Sequence, residues 1–225
     1  MPDAPSMILS SGGIRSLIAA TMASSRQGSK VILLHLLDDR PNAKIRSQFI
    51  QRQAKHLAIQ EVIETKPRRP KTKHRDTDHQ PATAGPLARS RVLIDGLAQA
   101  VASGAGTLIW PVQANGDFDL AARLIEQTVL AHDMAQLEHP APPKIDTPLL
   151  ELGDQQLIEL GKQLNLPWEL AWSCLRQLER PCRMCDGCHR RSGMVHCESG
   201  KSDRHPPPDD IRAGTTRIVS DPLAS

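Results

Sequence analysis

Tyrosine is absent from this 225-residue chain, which holds only two phenylalanines and three tryptophans. A core of any size must therefore be built from Leu, Ile, Val and Ala, and recognition of single-stranded nucleic acid has few rings on which to stack bases. Long apolar runs are missing as well. None approaches the roughly 18–20 residues that a membrane span requires. Residues 1–6 lack the basic region of a signal peptide, and Met7–Leu9 gives way at once to Ser-Ser-Gly-Gly. Charge imbalance is slight: the net charge is +3, and much of the excess sits in one short run. No internal repeat is visible. A cytoplasmic protein is expected, and in that reducing compartment clustered cysteines read as metal ligands before disulfides.

What is present is an alternation of apolar runs and amphipathic stretches, the pattern of an α/β fold. Strands are predicted over Met7–Ser10, Lys30–Leu37, Ile59–Glu64 and Thr107–Val112. Helices are predicted over Arg15–Arg26, from Pro41 to about Leu57, over Leu87–Ser103 and over Asp117–Glu138, the last closed by the proline-rich linker 139–144. A further helix begins at Gly153-Asp154, with Leu157, Ile158, Leu160 and Leu164 on one face. Residues 66–85 are basic and proline-rich and read as a mobile loop. Residues 1–171 are thus expected to form an α/β domain, to which the resemblance given below assigns nucleotide binding, and 172–192 a metal-binding segment. The polar, aperiodic residues 193–225 read as a disordered tail.

Four cysteines carry the sharpest signal, spaced Cys174-x7-Cys182-x2-Cys185-x2-Cys188. Zinc takes four ligands in a tetrahedron, and thiolates two residues apart fold back onto one ion. A closed four-cysteine site has no open position for water, so it is structural. An iron–sulfur cluster and a set of free or redox-paired thiols are the alternatives. Cys197 lies outside the spacing, and His189 and His196 are read as solvated.

A second motif, Ser10-Ser11-Gly12-Gly13-Ile14-Arg15-Ser16, lies where the first strand yields to the first helix. Glycines there let backbone N–H groups approach an anion, the helix N-terminus adds positive potential, and Ser11 and Ser16 offer hydroxyls. A plain strand–helix turn is the other reading. Its place at the carboxyl end of the first strand favours ligand binding.

Together these motifs resemble a known family. Ser11-Gly12-Gly13-x-x-Ser16 looks like the PP-loop of the N-type ATP pyrophosphatases. The stretches 145–150, 165–174 and 179–188 closely resemble the C-terminal part of the 7-cyano-7-deazaguanine (preQ0) synthases, and Pro86-Leu-Ala-Arg89 is similar to that family's Pro-Ala-Arg element. The resemblance implies a Rossmann-like parallel sheet flanked by helices, of the adenine nucleotide alpha hydrolase kind, with a C-terminal four-cysteine zinc segment. It implies an ATP- and magnesium-dependent ligase of queuosine biosynthesis, turning 7-carboxy-7-deazaguanine and ammonia into the nitrile through an adenylate. It assigns Ser10, Ser11, Gly12, Gly13, Ser16 and Arg89 to ATP, Asp38 or Asp39 to the nucleotide, and the four cysteines to zinc. A homodimer is in keeping with it; nucleic acid and membrane partners are not.

Two departures stand out. The family turn reads Ser-Gly-Gly-x-Asp-Ser, and Arg15 holds the Asp position. Arginine offsets phosphate charge but cannot ligate magnesium. The family's acidic, Tyr- and Gly-containing substrate stretch is also missing after the fourth strand, where Gln113, Asn115 and Asp117 are the available polar groups. An inactive or divergent relative that binds nucleotide or another substrate is therefore the second reading. A zinc-bearing nucleic-acid module, supported only by the basic run beginning at Lys66, is the third.

Overall fold

A computed structural model describes residues 4–26, 30–37, 42–66, 87–176, 178 and 180–196. Within these lie β1 (Ser6–Leu9), α1 (Ile14–Ser24), β2 (Val31–Leu36), α2 (Ala43–His56), β3 (Glu61–Thr65), α3 (Ala88–Ala102), β4 (Thr107–Ile109), α4 (Phe118–Glu138), β5 (Lys144–Asp146), α5 (Asp154–Gln163) and α6 (Asp186–His196). The strands form one sheet in the order β3-β2-β1-β4-β5, with every pairing parallel. Met7 sits opposite Ile32 on one side and Leu108 on the other. The alternating pattern predicts this α/β fold, and the family resemblance its Rossmann-like parallel sheet.

Burial explains why β1 and β2 are almost continuously apolar: both faces of a parallel sheet are covered by helices. Side chains leave a strand alternately up and down. Met7, Leu9, Ile32 and Leu34 accordingly pack with Leu93, Leu97 and Ala100 of α3 and Leu124 of α4. Ile8, Leu33 and Ile109 face the other way, against Ala19, Ala20 and Ala23 of α1 and Ile50 and Ala54 of α2. A third cluster joins Ile14, Leu17 and Ile18 of α1 to Leu157 and Ile158 of α5. These contacts are aliphatic almost throughout, as the shortage of aromatics requires.

Most element boundaries fall within two residues of expectation, and three differences are larger. β4 stops at Ile109 instead of Val112, because Pro111 has no N–H for the ladder and the Val112 N–H turns back onto the Trp110 carbonyl at 2.8 Å. β5 begins at Lys144, at the end of the stretch read as a linker; its three residues pair with β4, and the prolines just before them mask a strand so short. α6 was not foreseen and runs to His196, past the 192/193 boundary set for the metal segment. Asp38, Asp39, Pro41, nearly all of the 66–85 loop, Pro86 and all of the 193–225 tail beyond His196, Cys197 included, lie outside the described residues.

The strand order places β1 between β2 and β4, so the chain departs from the carboxyl ends of β1 and β4 in opposite directions. Ligands of open α/β sheets collect in the crevice at such a point. Leu17, fully buried between α1 and α5, holds the turn's helix in place. Leu17→Ala is expected to cost about 2–5 kcal/mol of stability, read as a lowered urea midpoint; an unchanged midpoint would contradict the packing described here.

Candidate active site and metal centre

The turn after β1 is held by its own backbone and by three other segments. Gly12 has φ +73°, and a side chain there would meet the Arg46 carbonyl at 3.0 Å, so glycine is required by both conformation and space. Ser10 is buried and its Oγ accepts from the Gly12 N–H at 3.4 Å. Ser16 is buried too, and its hydroxyl donates to the Gly13 carbonyl at 2.9 Å. Of the turn's serines, only Ser11 is exposed. Its carbonyl accepts from Arg46 Nε at 3.1 Å. The Gly12 carbonyl accepts from both the Trp172 N–H at 2.8 Å and Gln53 Nε2 at 3.1 Å.

Beside the turn lies a cavity of about 210 Å³. Arg15 lines it from the second position of α1 and Arg89 from the second position of α3, with Gln113 nearby. The apolar wall is Val92, Trp110, Val112, Leu120 and Leu124. Neither helix has an acidic residue in its first turn or a side-chain cap at its start. Leu87, just ahead of α3, has φ +59°, a left-handed conformation unusual for a β-carbon-bearing residue. Among the described residues, no carboxylate lines this cavity.

The polar groups after β4 have structural work. Asp117 Oδ1 caps α4 by accepting from the Leu120 N–H at 2.9 Å. Asn115 Oδ1 accepts from the Asp154 N–H at 2.9 Å, and Gln113 Nε2 donates to the Leu152 carbonyl and Asp154 Oδ1 at 2.9 and 3.0 Å. All three bind the loop to neighbouring helix termini, and only Gln113 also borders the cavity.

The four cysteines converge. Their sulfurs all lie within 4.8 Å of one another, with Cys182 Sγ 3.8 Å from Cys188 Sγ and Cys185 Sγ 3.9 Å from Cys174 Sγ. They fit one tetrahedral ion, whose sulfur–sulfur edges are about 3.8 Å for a metal–sulfur bond near 2.3 Å. N–H groups reinforce the set: Leu175 donates to Cys185 Sγ at 3.4 Å and Cys182 to Cys174 Sγ at 3.5 Å. The backbone N–H of Met184, with help from that of Cys185, brings the Cys182 thiol down to about 6, whereas burial pushes Cys188 up to about 12. Four thiols so close cannot all ionise alone; a cation between them reverses the balance. Gly187 lies against the Ser173 carbonyl so closely that a β-carbon would overlap it. This approach sets Cys188, on the first turn of α6, beside Cys174. His189 is exposed and outside the cluster.

Residues that the sequence reading passed over tie this centre to the turn. The Cys174 carbonyl accepts from Asn42 Nδ2 at 2.7 Å and from the Trp172 indole at 3.0 Å. Gln53 Nε2 reaches the Leu170 carbonyl at 2.8 Å as well as Gly12. Arg191 of α6 donates to the Ala171 and Trp168 carbonyls at 2.6 and 3.2 Å. Trp172 packs its ring on Phe49, with centroids 5.1 Å apart. Asn42, Gln53 and Arg191 carry no motif; their polarity on otherwise amphipathic helices is the only sequence trace of these roles.

Residues 119–196 match the family described as queuosine biosynthesis protein QueC. A 7-cyano-7-deazaguanine synthase of Methanothrix thermoacetophila is 28% identical over 217 residues, covering 87% of this chain and 95% of that protein. Over most of its length the chain is thus similar to a 7-cyano-7-deazaguanine synthase. The synthase of Trichodesmium erythraeum is 45% identical over a shorter stretch of 47 residues, 21% of each chain. Among solved structures, the U34-tRNA thiolase NcsA from Methanococcus maripaludis, with its [4Fe-4S] cluster, superposes with a TM-score of 0.50 at 15% identity, over 88% of this chain and 66% of that one. That likeness concerns the PP-loop fold. Among the described residues, no helix is long and apolar enough to cross a membrane.

Gly187→Ala is expected to force α6 away from residue 173 and to lower bound metal well below one per chain, as Cys185→Ser should by removing a ligand. Full metal content in both variants, measured by plasma emission spectrometry, would refute the four-sulfur centre.

Proposed function

We propose that the chain is an ATP-dependent synthase that joins ammonia to 7-carboxy-7-deazaguanine and carries the product on to the nitrile, preQ0, in queuosine biosynthesis. The observation that carries this reading is the Ser10–Ser16 turn opening at the β1/β4 crevice beside a cavity with two arginines. The likeness to a synthase over 95% of that relative's length supports it.

The chemistry is that of a poor leaving group made good. A carboxylate oxygen attacks the α-phosphorus of ATP and pyrophosphate departs. Ammonia adds to the acyl carbon, AMP leaves and the nitrogen loses a proton, giving the amide. A second ATP adenylates the amide oxygen; loss of AMP and the remaining N–H protons gives the nitrile. The protein's share is to align the reacting groups and meet the developing charge. Gly12 and Gly13 bring backbone to the phosphates, the exposed Ser11 hydroxyl and the start of α1 add donors, and Arg89 stands opposite at the start of α3. Ser10 and Ser16 shape the turn from within. A protein-held magnesium does not fit: Arg15 occupies the position from which a carboxylate would hold it, and the described lining supplies no other.

For the cysteine centre we propose zinc. The sulfur separations suit a single ion; a four-iron cluster would hold its cysteine sulfurs farther apart, around a body of eight atoms. When bound, zinc ties 174 to the 182–188 segment. A second reading, a relative that binds nucleotide without this turnover, is favoured by Arg15 and by the structural use of Asn115 and Asp117.

An apolar band on α4, comprising Ile125, Val129, Leu130, Met134 and Leu137, is exposed and is the surface through which a homodimer would form. Leu130→Glu is expected to shift a dimer to monomer by light scattering; a wild-type monomer at micromolar concentration removes this proposal.

Incubation with ATP supplied as its magnesium salt, ammonium and 7-carboxy-7-deazaguanine should yield AMP and preQ0 by mass spectrometry. ATP binding with neither product, from folded metal-loaded protein, would establish the second reading.

A further inference from the structure

We propose that His35, Arg46 and Gln53 are positioning residues that fix the peptide planes of the Ser10–Gly13 turn, so that its amide donors face an incoming phosphate. This rests on the reading of the turn as the nucleotide site, and adds to it the side chains that set its geometry.

Three successive carbonyls of the turn are held from one side. The Ser10 carbonyl accepts from His35 Nδ1 at 3.0 Å, the Ser11 carbonyl from Arg46 Nε at 3.1 Å and the Gly12 carbonyl from Gln53 Nε2 at 3.1 Å. His35 belongs to β2, and the other two to α2. All three side chains are buried, His35 and Gln53 completely. α2 packs on the same face of the sheet as α1, whereas α3 and the cavity beside it lie on the other face.

In a trans peptide the C=O and the N–H that follows it point in opposite directions. A carbonyl tied back to β2 or α2 therefore turns the next N–H away from them. The donors so presented are the N–H groups of Ser11 and Gly13, and among the described residues neither has an acceptor. The Gly12 N–H between them is taken by Ser10 Oγ at 3.4 Å. Backbone N–H groups gathered about a left-handed residue form an anion-binding concavity, and Gly12 has φ +73°. The start of α1 adds positive potential.

Chemistry fixes the orientation of the holding groups. A carbonyl oxygen only accepts, so His35 carries its proton on Nδ1 and Gln53 turns its nitrogen to the turn. Gln53 Nε2 also donates to the Leu170 carbonyl at 2.8 Å. Its Oε1 is left buried with no hydrogen-bond partner among the described residues. Such an orphaned acceptor costs stability, and an apolar side chain of the same shape would avoid that cost. Gln53 is thus present for its donors. Donors already aimed need no reorganisation when charge arrives, which makes them most effective toward an anion.

The test is titration of the full, metal-loaded chain with inorganic pyrophosphate, followed by calorimetry and by the backbone amide resonances. Pyrophosphate is expected to shift the Ser11 and Gly13 amides. Gln53→Met and His35→Leu should each weaken its binding about fivefold or more. His35→Asn, which keeps a donor near the Nδ1 position, should recover part of the loss. Arg46→Lys, which keeps the charge and loses the fixed Nε donor, should weaken binding as well. Leu97→Ala, in the core between β1 and α3, should lower the thermal midpoint and leave pyrophosphate affinity within about twofold. Affinity that falls only in step with the thermal midpoint, Leu97→Ala included, overturns the inference, because the side chains are then merely structural. Unchanged affinity in Gln53→Met overturns it, as does binding that leaves the Ser11 and Gly13 resonances unmoved. A folded wild-type chain that does not bind pyrophosphate overturns it too. If the affinities follow the expected pattern while the chain makes no preQ0, the inference stands and the proposed synthase activity falls.

Discussion

The Gly12 carbonyl oxygen is where the two halves of this protein meet. It accepts one hydrogen bond from the Trp172 backbone, which leads directly into the first cysteine, and another from Gln53 on α2. A carbonyl has two lone pairs, and both are used here. The Ser10–Ser16 turn is consequently stiffened from behind by the segment that leads into the cysteine cluster. Removal of either donor would leave a buried acceptor short of a partner in a region of low dielectric, where that loss is costly.

Seen from that bond, the cysteine cluster has a positional role. It lies apart from the cavity, at the end of the segment 170–174. Asn42 and the Trp172 indole both donate to the Cys174 carbonyl, and Arg191 grips the two carbonyls just upstream. The fully buried side chains of β1 and β2 hold the front of the turn, because α1 cannot move without opening the contacts of Leu17 and Ile18 with α5.

Legibility in the sequence followed the physical range of each signal. The apolar runs of β1 and β2, the Gly12-Gly13 turn and the cysteine spacing are local patterns, readable within a dozen residues. β5 was missed because three residues carry too little periodicity and prolines precede them. α6 was missed because ligand spacing masked its helical repeat, and Cys188 serves both. Asn115 and Asp117 had looked like stand-ins for a substrate stretch; their side chains instead hold helix starts, which short polar residues next to glycine commonly do.

By itself the sequence determined the class of fold, the aliphatic character of the core and the grouping of the four cysteines, since all three follow from residue type and spacing along the chain. Which residues share a wall was decided only in three dimensions. Arg15 and Arg89 are 74 positions apart, and nothing local relates them; the strand order β2-β1-β4 brings the helices that follow β1 and precede β4 to the same crevice. The same holds for Gln53, Trp172 and Gly12. Hydrogen bonds between distant backbone segments leave no periodicity in the chain, because they depend on where the sheet carries each segment and not on what lies beside it in sequence.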